Sequence, residues 1–275
     1  MFCIAKPQLQ RTTSDGVSWW ADAAACSSVG VLVAFSERQG GCSGAPYVSL
    51  NLAGHVGDDT DAVDASRSRL LEALGIAASR DALTMAEQVH GESIALVGAS
   101  DAGAGAWAGR GGRGPIRETD ALITLLPRTP LAMCFADCVP IILVAPGPAV
   151  AVVHAGWRGA LASLPGKAAA QLAHEARCEP DEVVAYIGAH IGACHYEVSA
   201  EIMSQFVYTF GTFARAVSGG LDLDAVVSAS LDLAGVAPCN IARLGVCTAE
   251  ATDRFFSYRA EGGVTGRHAA LVCIL

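Results

Sequence analysis

Three residues of this 275-residue chain have side chains that suit a catalytic metal ion. They are His90, Cys138 and His154, and each stands at the end of an apolar run. Two imidazoles and one thiolate are donors that zinc prefers, and three protein ligands leave its fourth tetrahedral position open to water or substrate. Gaps of 48 and 16 residues (138 − 90 and 154 − 138) exclude a zinc finger but allow three strand ends to converge. The sequence therefore predicts an open zinc site.

The same three residues allow two hypotheses in which no metal is needed. Cys138 could be a nucleophile with His154 as its base, which would make the protein a cysteine hydrolase or amidase. Alternatively, a non-enzymatic protein could use the cleft to bind a nucleotide or a partner. Turnover without metal would indicate the hydrolase, and binding without turnover would indicate the non-enzymatic protein.

The elements that must position these residues are short apolar strands interspersed with helices. Strands are predicted from Val29 to Phe35, Leu83 to Val89, Ser93 to Val97, Ala121 to Thr124, Leu131 to Phe135, Ile141 to Val144, Ala149 to Val153, Val183 to Ile187, Ile241 to Val246 and Ala269 to Ile274. Helices are predicted from Asp59 or Thr60 to Gly75, over residues 158–177, from Ser199 to Phe210 and from Leu223 to Leu233. Because several strands follow one another directly, we expect an α+β architecture: mixed sheets flanked by helices in a single compact domain over residues 1–275.

The composition limits the class of protein. The chain is 52% hydrophobic and 16% charged, so it can bury a large core, and its net charge of −9 offers no footprint for nucleic acid or an anionic membrane. Met1 to Pro7 does not resemble a secretory leader. The longest apolar run, Val139 to Val153, is too short to cross a bilayer and contains a Pro-Gly-Pro turn. Ten cysteines without a Cys-x-x-Cys pair favour reduced thiols, so we expect a cytoplasmic protein.

Short motifs spread along the chain occur together in one known family. They are Ser49-Leu50-Asn51-Leu52, His55-Val56-Gly57-Asp58-Asp59, Gln88-Val89-His90-Gly91, Thr119-Asp120-Ala121-Leu122, Ala136-Asp137-Cys138-Val139-Pro140, His154-Ala155-Gly156-Trp157-Arg158-Gly159, Ile187-Gly188, Cys194-His195-Tyr196-Glu197-Val198, Cys247-Thr248, Phe256-Ser257-Tyr258-Arg259 and Thr265-Gly266-Arg267. In this order they resemble the YfiH-like family, variously called polyphenol oxidase (laccase-like), peptidoglycan editing factor or purine nucleoside phosphorylase. The chain departs from the family pattern at Ala189, His195 and Ala260, where the family usually has Pro, Cys and Arg.

The resemblance implies a YfiH-like fold of the cysteine hydrolase type, with His90, Cys138 and His154 as zinc ligands. It also implies phosphorolysis, in which phosphate attacks the ribose C1′ of adenosine, guanosine, inosine or methylthioadenosine. Adenosine deamination is a related possibility, because zinc lowers the pKa of bound water to about 7 and hydroxide can then attack purine C6. The expected partners are therefore purine nucleosides and phosphate.

Two of the family's names suggest other chemistry. Peptidoglycan editing would suit a Cys138-dependent amidase that acts on peptidoglycan precursors. A laccase needs copper, and a multicopper enzyme needs many imidazoles, whereas this chain has seven histidines and no His-x-His pair. Zinc is therefore the expected metal, although copper could occupy the same His/Cys/His site.

Phosphate would require cationic groups near the metal. Arg158 follows His154 at the predicted start of a helix, where free N–H groups favour anions, so it is predicted to be catalytic. Arg38 lies in a turn after a strand and is predicted to bind substrate. Arg259 and Arg267 are further candidates.

A purine nucleoside would require groups that hydrogen-bond its edge. Gln88, Asn51 and His55 are predicted to bind substrate. Asp137 is predicted to be catalytic and Asp120 to bind substrate, but either carboxylate could instead orient a metal ligand or act as a base.

One glycine-rich and alanine-rich segment, from Gly98 to Arg117, is predicted to be a surface loop. Its glycine content would allow it to hinge over a substrate. Trp107 within it could stack on a base or pack as a loop tip.

Overall fold

The computed structural model describes residues 6–107 and 111–275 of the chain. The strands among these residues are β1 (Gln10–Ser14), β2 (Val17–Ala21), β3 (Val31–Ser36), β4 (Thr84–Met85), β5 (Ile94–Leu96), β6 (Ala121–Thr124), β7 (Leu131–Phe135), β8 (Val139–Ala145), β9 (Ala149–Ala155), β10 (Val184–Ile187), β11 (Ile241–Arg243) and β12 (His268–Ile274). The helices are α1 (Ala23–Val29), α2 (Thr60–Ala73), α3 (Trp157–Leu161), α4 (Leu164–Ala176), α5 (Ala200–Phe210) and α6 (Leu223–Leu233).

The strands form two mixed six-stranded sheets. The first has the order β1-β2-β3-β12-β7-β4 and the second has the order β11-β10-β8-β9-β6-β5. Most neighbouring strands are antiparallel, but β4 runs parallel to β7, β5 to β6, and β10 to β11. The chain crosses from the first sheet to the second in the connection from β4 to β5 and in the turn from β7 to β8.

Burial of apolar faces stacks these elements in layers. One core lies between the sheets and joins residues such as Phe35 and Phe135 from the first to Ile142 and Tyr186 from the second. A second core packs α4 and α6 against the outer face of the second sheet, and a third packs α2 against the outer face of the first. The strands of both sheets are therefore apolar on two faces, which explains their nearly continuous hydrophobic runs. Two mixed sheets flanked by helices in one compact domain confirm the predicted class.

Several predicted elements are confirmed with their boundaries. β6, β7 and α6 occupy the predicted ranges, and α2 begins after Asp59, whose side chain accepts a hydrogen bond from the amide of Ala62 (2.9 Å). The apolar run from Val139 to Val153 is the hairpin β8–β9 with its Pro-Gly-Pro turn. None of the helices among the described residues has the length and apolar character needed to span a membrane.

Other predictions need correction. Val29 ends α1 instead of starting a strand, and the β1–β2 hairpin before it was not predicted. The helix predicted over residues 158–177 is two helices, because Ser163 adopts a left-handed conformation (φ 57°) between them. The strand predicted from Leu83 to Val89 is shortened to β4, and the one from Ile241 to Val246 ends at Arg243. The predictions that concern Met1 to Pro7 and the loop from Gly98 to Arg117 lie in part outside the described residues.

The buried histidine of β12 makes the protein sensitive to acid. His268 is 1% exposed between Phe135 and Phe255, and burial, reinforced by the charge of Arg267, lowers its pKa to about 3. Because the unfolded histidine binds a proton near pH 6.5, the unfolded state is favoured progressively as the pH falls below that value. We expect this residue alone to lower the free energy of unfolding by about 2 kcal/mol between pH 7 and pH 5.

Urea unfolding at several pH values measures this effect. The wild-type protein should lose about 2 kcal/mol more than a His268→Met variant over the same pH interval. Parallel pH profiles for the two proteins would show that His268 is not responsible.

Candidate metal centre and substrate cavity

The three predicted metal ligands come together where the chain passes between the two sheets. His90 lies in the connection from β4 to β5, and Cys138 ends the turn from β7 to β8. His154 lies in β9, and the β8–β9 register pairs it with Pro140, two residues beyond Cys138. The nitrogen and sulfur ligand atoms of the three residues all lie within 4.8 Å of one another. Residues that are 64 positions apart at their extremes (154 − 90) therefore form one cluster.

Asp120 holds two of these ligands in place. Its buried carboxylate accepts a hydrogen bond from the backbone N–H of His90 (3.1 Å) and from that of Gly91 (2.7 Å). The same carboxylate lies 2.8 Å from Nδ1 of His154. Since Nδ1 of His154 faces this carboxylate, Nε2 is the nitrogen left for a metal.

The electrostatics of the cluster favour the form of Cys138 that binds metal. Burial alone would raise the pKa of Cys138, but His154 and His90 more than reverse this effect and lower it to about 6. Burial opposes the charged form of His154, yet the Cys138 thiolate and Asp120 together raise the pKa of His154. The lowered pKa favours the thiolate of Cys138, the form required of a metal ligand or a nucleophile, while His154 must release its proton before its ring can bind a metal.

A glycine completes the cluster by leaving space between two ligands. A Cβ atom at Gly156 would lie 2.7 Å from Cδ2 of His90 and 3.3 Å from Sγ of Cys138. Any side chain at this position would push the His90 ring out of place. The residues thus fit an open metal site, with two nitrogens and one sulfur as donors and the side-chain-free Gly156 beside them.

The cluster faces a cavity of about 510 Å³ whose charge suits an anion. Arg158, Arg259 and Arg267 line it, and no carboxylate within the described residues forms an ion pair with any of the three. Arg158 lies four residues after His154 (158 − 154), and the backbone N–H of Arg259 donates to the carboxylate of Asp137 (2.7 Å), the residue before Cys138. Arg158 lies on α3, which is only five residues long, so its side chain rather than a helix dipole supplies the positive charge.

Aromatic rings line the same cavity. Trp157, Tyr196 and Tyr258 all contribute to its wall. The guanidinium of Arg158 lies 4.3 Å from the ring centre of Trp157, and that of Arg259 lies 5.4 Å from the ring centre of Tyr196. A planar base can stack on such rings while the arginines contact an anion.

Asp137 combines a strained backbone with a fixed carboxylate at the cavity wall. Its φ of 86° is unfavourable for a residue with a side chain, and such strain is often found at functional sites. The hydroxyl of Thr248 donates to one carboxylate oxygen (2.6 Å) and the backbone N–H of Arg259 donates to the other (2.7 Å). Each oxygen keeps a lone pair for a substrate hydroxyl or N–H.

Two predicted substrate-binding residues line the cavity. Gln88 and His55 are shared between this cavity and a neighbouring one of about 470 Å³. The side-chain amide of Gln88 exchanges two hydrogen bonds of 2.9 Å with the backbone of Cys134, which fixes its orientation. Burial and the nearby Arg267 lower the pKa of His55 and so favour its neutral form.

Three other residues that are predicted to bind substrate line neither cavity in the structure. Asp120 is enclosed by the metal ligands that it orients. Asn51 is fully buried and connects the backbone of Ala53 to that of Arg267. Arg38 is occupied by the carboxylate of Glu261 (2.9 Å) and by backbone carbonyls. All three position the surrounding loops instead.

Trp107 also lies away from the metal cluster. It is 8% exposed within the core beneath α2, and its indole N–H donates to the carbonyl of Arg80 (3.0 Å). Trp107 is therefore a packed residue and not a ring for substrate stacking.

Two further arginine candidates of the sequence lie in the loop between β11 and β12. Arg259 and Arg267 line the cavity, whereas Arg38 does not. Tyr196 and Tyr258 were not singled out. Their motifs, Cys194-His195-Tyr196-Glu197-Val198 and Phe256-Ser257-Tyr258-Arg259, were the available signal.

Comparisons with known proteins place this chain in a family. The family model described as multi-copper polyphenol oxidoreductase laccase matches residues 32–275. The chain is 34% identical over 261 residues to the purine nucleoside phosphorylase YlmD of Geobacillus stearothermophilus, covering 92% of this chain and 93% of that protein. It is 37% identical over 243 residues to the purine nucleoside phosphorylase SCO2081 of Streptomyces coelicolor, covering 86% of this chain and 93% of that protein.

A solved structure shows the same fold. The crystal structure of YlmD from Geobacillus stearothermophilus matches with a TM-score of 0.87 and 33% sequence identity, covering 98% of this chain and 99% of that one. The chain therefore belongs to the YfiH-like, laccase-like family, as its motifs indicated.

Proposed function

We propose that this protein is a zinc-dependent purine nucleoside phosphorylase. The observation that carries the proposal is the convergence of His90, Cys138 and His154 on a cavity lined by aromatic rings and by three arginines that form no ion pair with a described carboxylate. Relatives with the phosphorylase name cover nearly the whole chain, which supports the same substrate class: a purine nucleoside and phosphate. We include methylthioadenosine phosphorolysis and adenosine deamination in the proposal.

His154 through Nε2, Cys138 through Sγ and His90 through its ring would hold the metal. A bound zinc ion would supply Lewis-acid polarisation of a substrate oxygen. Copper could be held by the same donors, but a multicopper centre would need imidazoles beyond these, so zinc is favoured.

The chain's own residues account for binding and orientation. Arg158, Arg259 and Arg267 would bind phosphate, and the rings of Tyr196 and Tyr258 would stack on the purine. Asp137, whose two oxygens are already fixed, would accept a hydrogen bond from a ribose hydroxyl. Phosphate would then attack ribose C1′ while the bond from C1′ to the purine nitrogen breaks, which yields ribose 1-phosphate and the free base.

Product analysis tests this function. Incubation of the purified protein with adenosine and phosphate should produce adenine and ribose 1-phosphate in equal amounts, and the reaction should stop when phosphate is omitted. Inosine and ammonia formed without phosphate would reveal the deaminase activity. If neither pair of products forms while adenosine binds, the protein is a binding protein and the proposal fails.

One observation favours a second candidate function. Cys138, His154 and Asp120 form a chain of contacts in which a carboxylate orients an imidazole beside a thiolate. This arrangement also suits a cysteine nucleophile with its base, as in an amidase that acts on peptidoglycan precursors. The two candidates differ at His90, which a metal requires and a thiol nucleophile does not.

A further inference from the structure

A second group of metal-binding side chains lies outside the catalytic cluster. It consists of Cys194, His195, Cys247 and Glu250, and no role for it follows from the proposed phosphorolysis. Their ligand atoms all lie within 4.8 Å of one another. Among the described residues, this group and the catalytic cluster are the two sets of three or more such side chains that converge in this way.

The distances within this second group match one tetrahedral ion. Sγ of Cys194 lies 3.1 Å from Nδ1 of His195 and 3.3 Å from Oε1 of Glu250. Nδ1 of His195 lies 3.7 Å from Sγ of Cys247 and 3.6 Å from Oε1 of Glu250. Ligands bound about 2.0–2.3 Å from a zinc ion at tetrahedral angles are separated by about 3.3–3.8 Å, so these atoms need little movement to coordinate it.

The chemistry of the donors points to zinc. Two thiolates select soft or borderline metals, and an imidazole with a carboxylate completes a set that zinc accepts. The backbone N–H of Gly192 already donates to Sγ of Cys247 (3.2 Å), and such a bond stabilises a thiolate ligand. Both cysteines are free thiols in the structure, so both sulfurs are available.

We propose that Cys194, His195, Cys247 and Glu250 form a second, structural zinc site. Four protein ligands close the coordination sphere, in contrast to the three ligands of the catalytic cluster. The site joins two loop segments that are 52 residues apart. His195 is followed by Tyr196, which lines the cavity. Cys247 is followed by Thr248, whose hydroxyl donates a hydrogen bond to the carboxylate of Asp137. The second zinc thus fixes one wall of the substrate cavity.

Metal stoichiometry tests this site. The full chain is reduced, stripped of metal, reconstituted with zinc and freed of excess metal before mass-spectrometric metal analysis. The wild type should retain two zinc ions per chain, and Cys194→Ser and Cys247→Ser should each retain one. Cys239→Ser is the matched control, because Cys239 is also an exposed free thiol but belongs to neither cluster, and it should retain two.

A second measurement separates this site from the catalytic one and from a folding defect. In a His90→Ala variant only the second site should bind metal. Cobalt added to this variant should therefore show the absorption of thiolate-to-cobalt charge transfer, and the double variant His90→Ala/Cys194→Ser should lose that absorption. Glu250→Gln keeps both thiols and should weaken cobalt binding without removing that absorption. Circular dichroism of each metal-free variant checks that it folds.

Three results would overturn the second site. In the first, the wild type retains a single zinc ion, and His90→Ala removes it. In the second, the Cys194→Ser variant still retains two zinc ions. In the third, Cys194 and Cys247 form a disulfide whose reduction yields no zinc binding. None of these results bears on phosphorolysis, so failure of this site and failure of the proposed function are distinguishable.

Discussion

Replacement of His90 by alanine is expected to remove one zinc ion per chain and to lower adenosine phosphorolysis by about 1000-fold. Lewis-acid stabilisation contributes several kcal/mol to a transition state, and about 1.4 kcal/mol corresponds to a factor of ten in rate. His90 is exposed, so its truncation should leave the fold and its thermal midpoint nearly unchanged. Metal analysis and the rate of ribose 1-phosphate formation measure the two effects.

A matched control is available on the opposite side of the second sheet. His174 is an exposed histidine of α4 and has no part in either metal cluster, so His174→Ala should keep both zinc and activity. A His90→Ala protein that turns over at the wild-type rate would instead favour Cys138 as the nucleophile, because that mechanism does not require His90.

Replacement of Asp120 by asparagine is expected to weaken zinc binding at the catalytic cluster by about 10-fold to 100-fold, the usual cost of losing a partner that orients a metal ligand. The carboxylate accepts hydrogen bonds from the backbone of residues 89–91 and faces Nδ1 of His154. An amide of the same shape presents an NH₂ group to some of these donors, so both histidine ligands lose their orientation. Competition with a chromogenic chelator measures the affinity.

Asp22 provides the control for this substitution. Its carboxylate is also buried and also accepts several hydrogen bonds, from the start of α1 and from Tyr186. Asp22→Asn should therefore lower the stability of the fold while zinc affinity stays at the wild-type value. Equal losses of zinc affinity in both variants would mean that Asp120 acts only through general stability.

The fold was predictable where local signals and burial agree. The apolar spacing from Val63 to Leu74 and the capping carboxylate of Asp59 predict α2, and continuous apolar runs predict β6, β7 and the β8–β9 hairpin. The β1–β2 hairpin was missed because β1 reads Gln-Arg-Thr-Thr-Ser, a polar edge strand that is mostly exposed. α1 was missed because its small residues show no helical periodicity.

The convergence of His90, Cys138 and His154 was predictable from their donor types, but the cavity around them was not. His90 and Cys138 lie in the two connections that cross between the sheets, and His154 lies near the end of β9, next to the start of β8. By contrast, Arg38 follows a strand and Arg267 precedes one, so the local sequence does not distinguish them. Only the tertiary structure shows that the Glu261 carboxylate pairs with Arg38, whereas Arg267 lines the cavity. The second metal group was hidden because its cysteines are 53 residues apart (247 − 194) and form no Cys-x-x-Cys pair.

Removal and return of zinc test the central claim most directly. The protein is stripped of metal with a chelator, and formation of ribose 1-phosphate from adenosine and phosphate is measured before and after zinc is added back. We predict that stripping abolishes the reaction, that zinc restores it in the wild type, and that zinc fails to restore it in His154→Ala. Formation of ribose 1-phosphate at an undiminished rate by the metal-free protein would contradict a zinc-dependent phosphorylase.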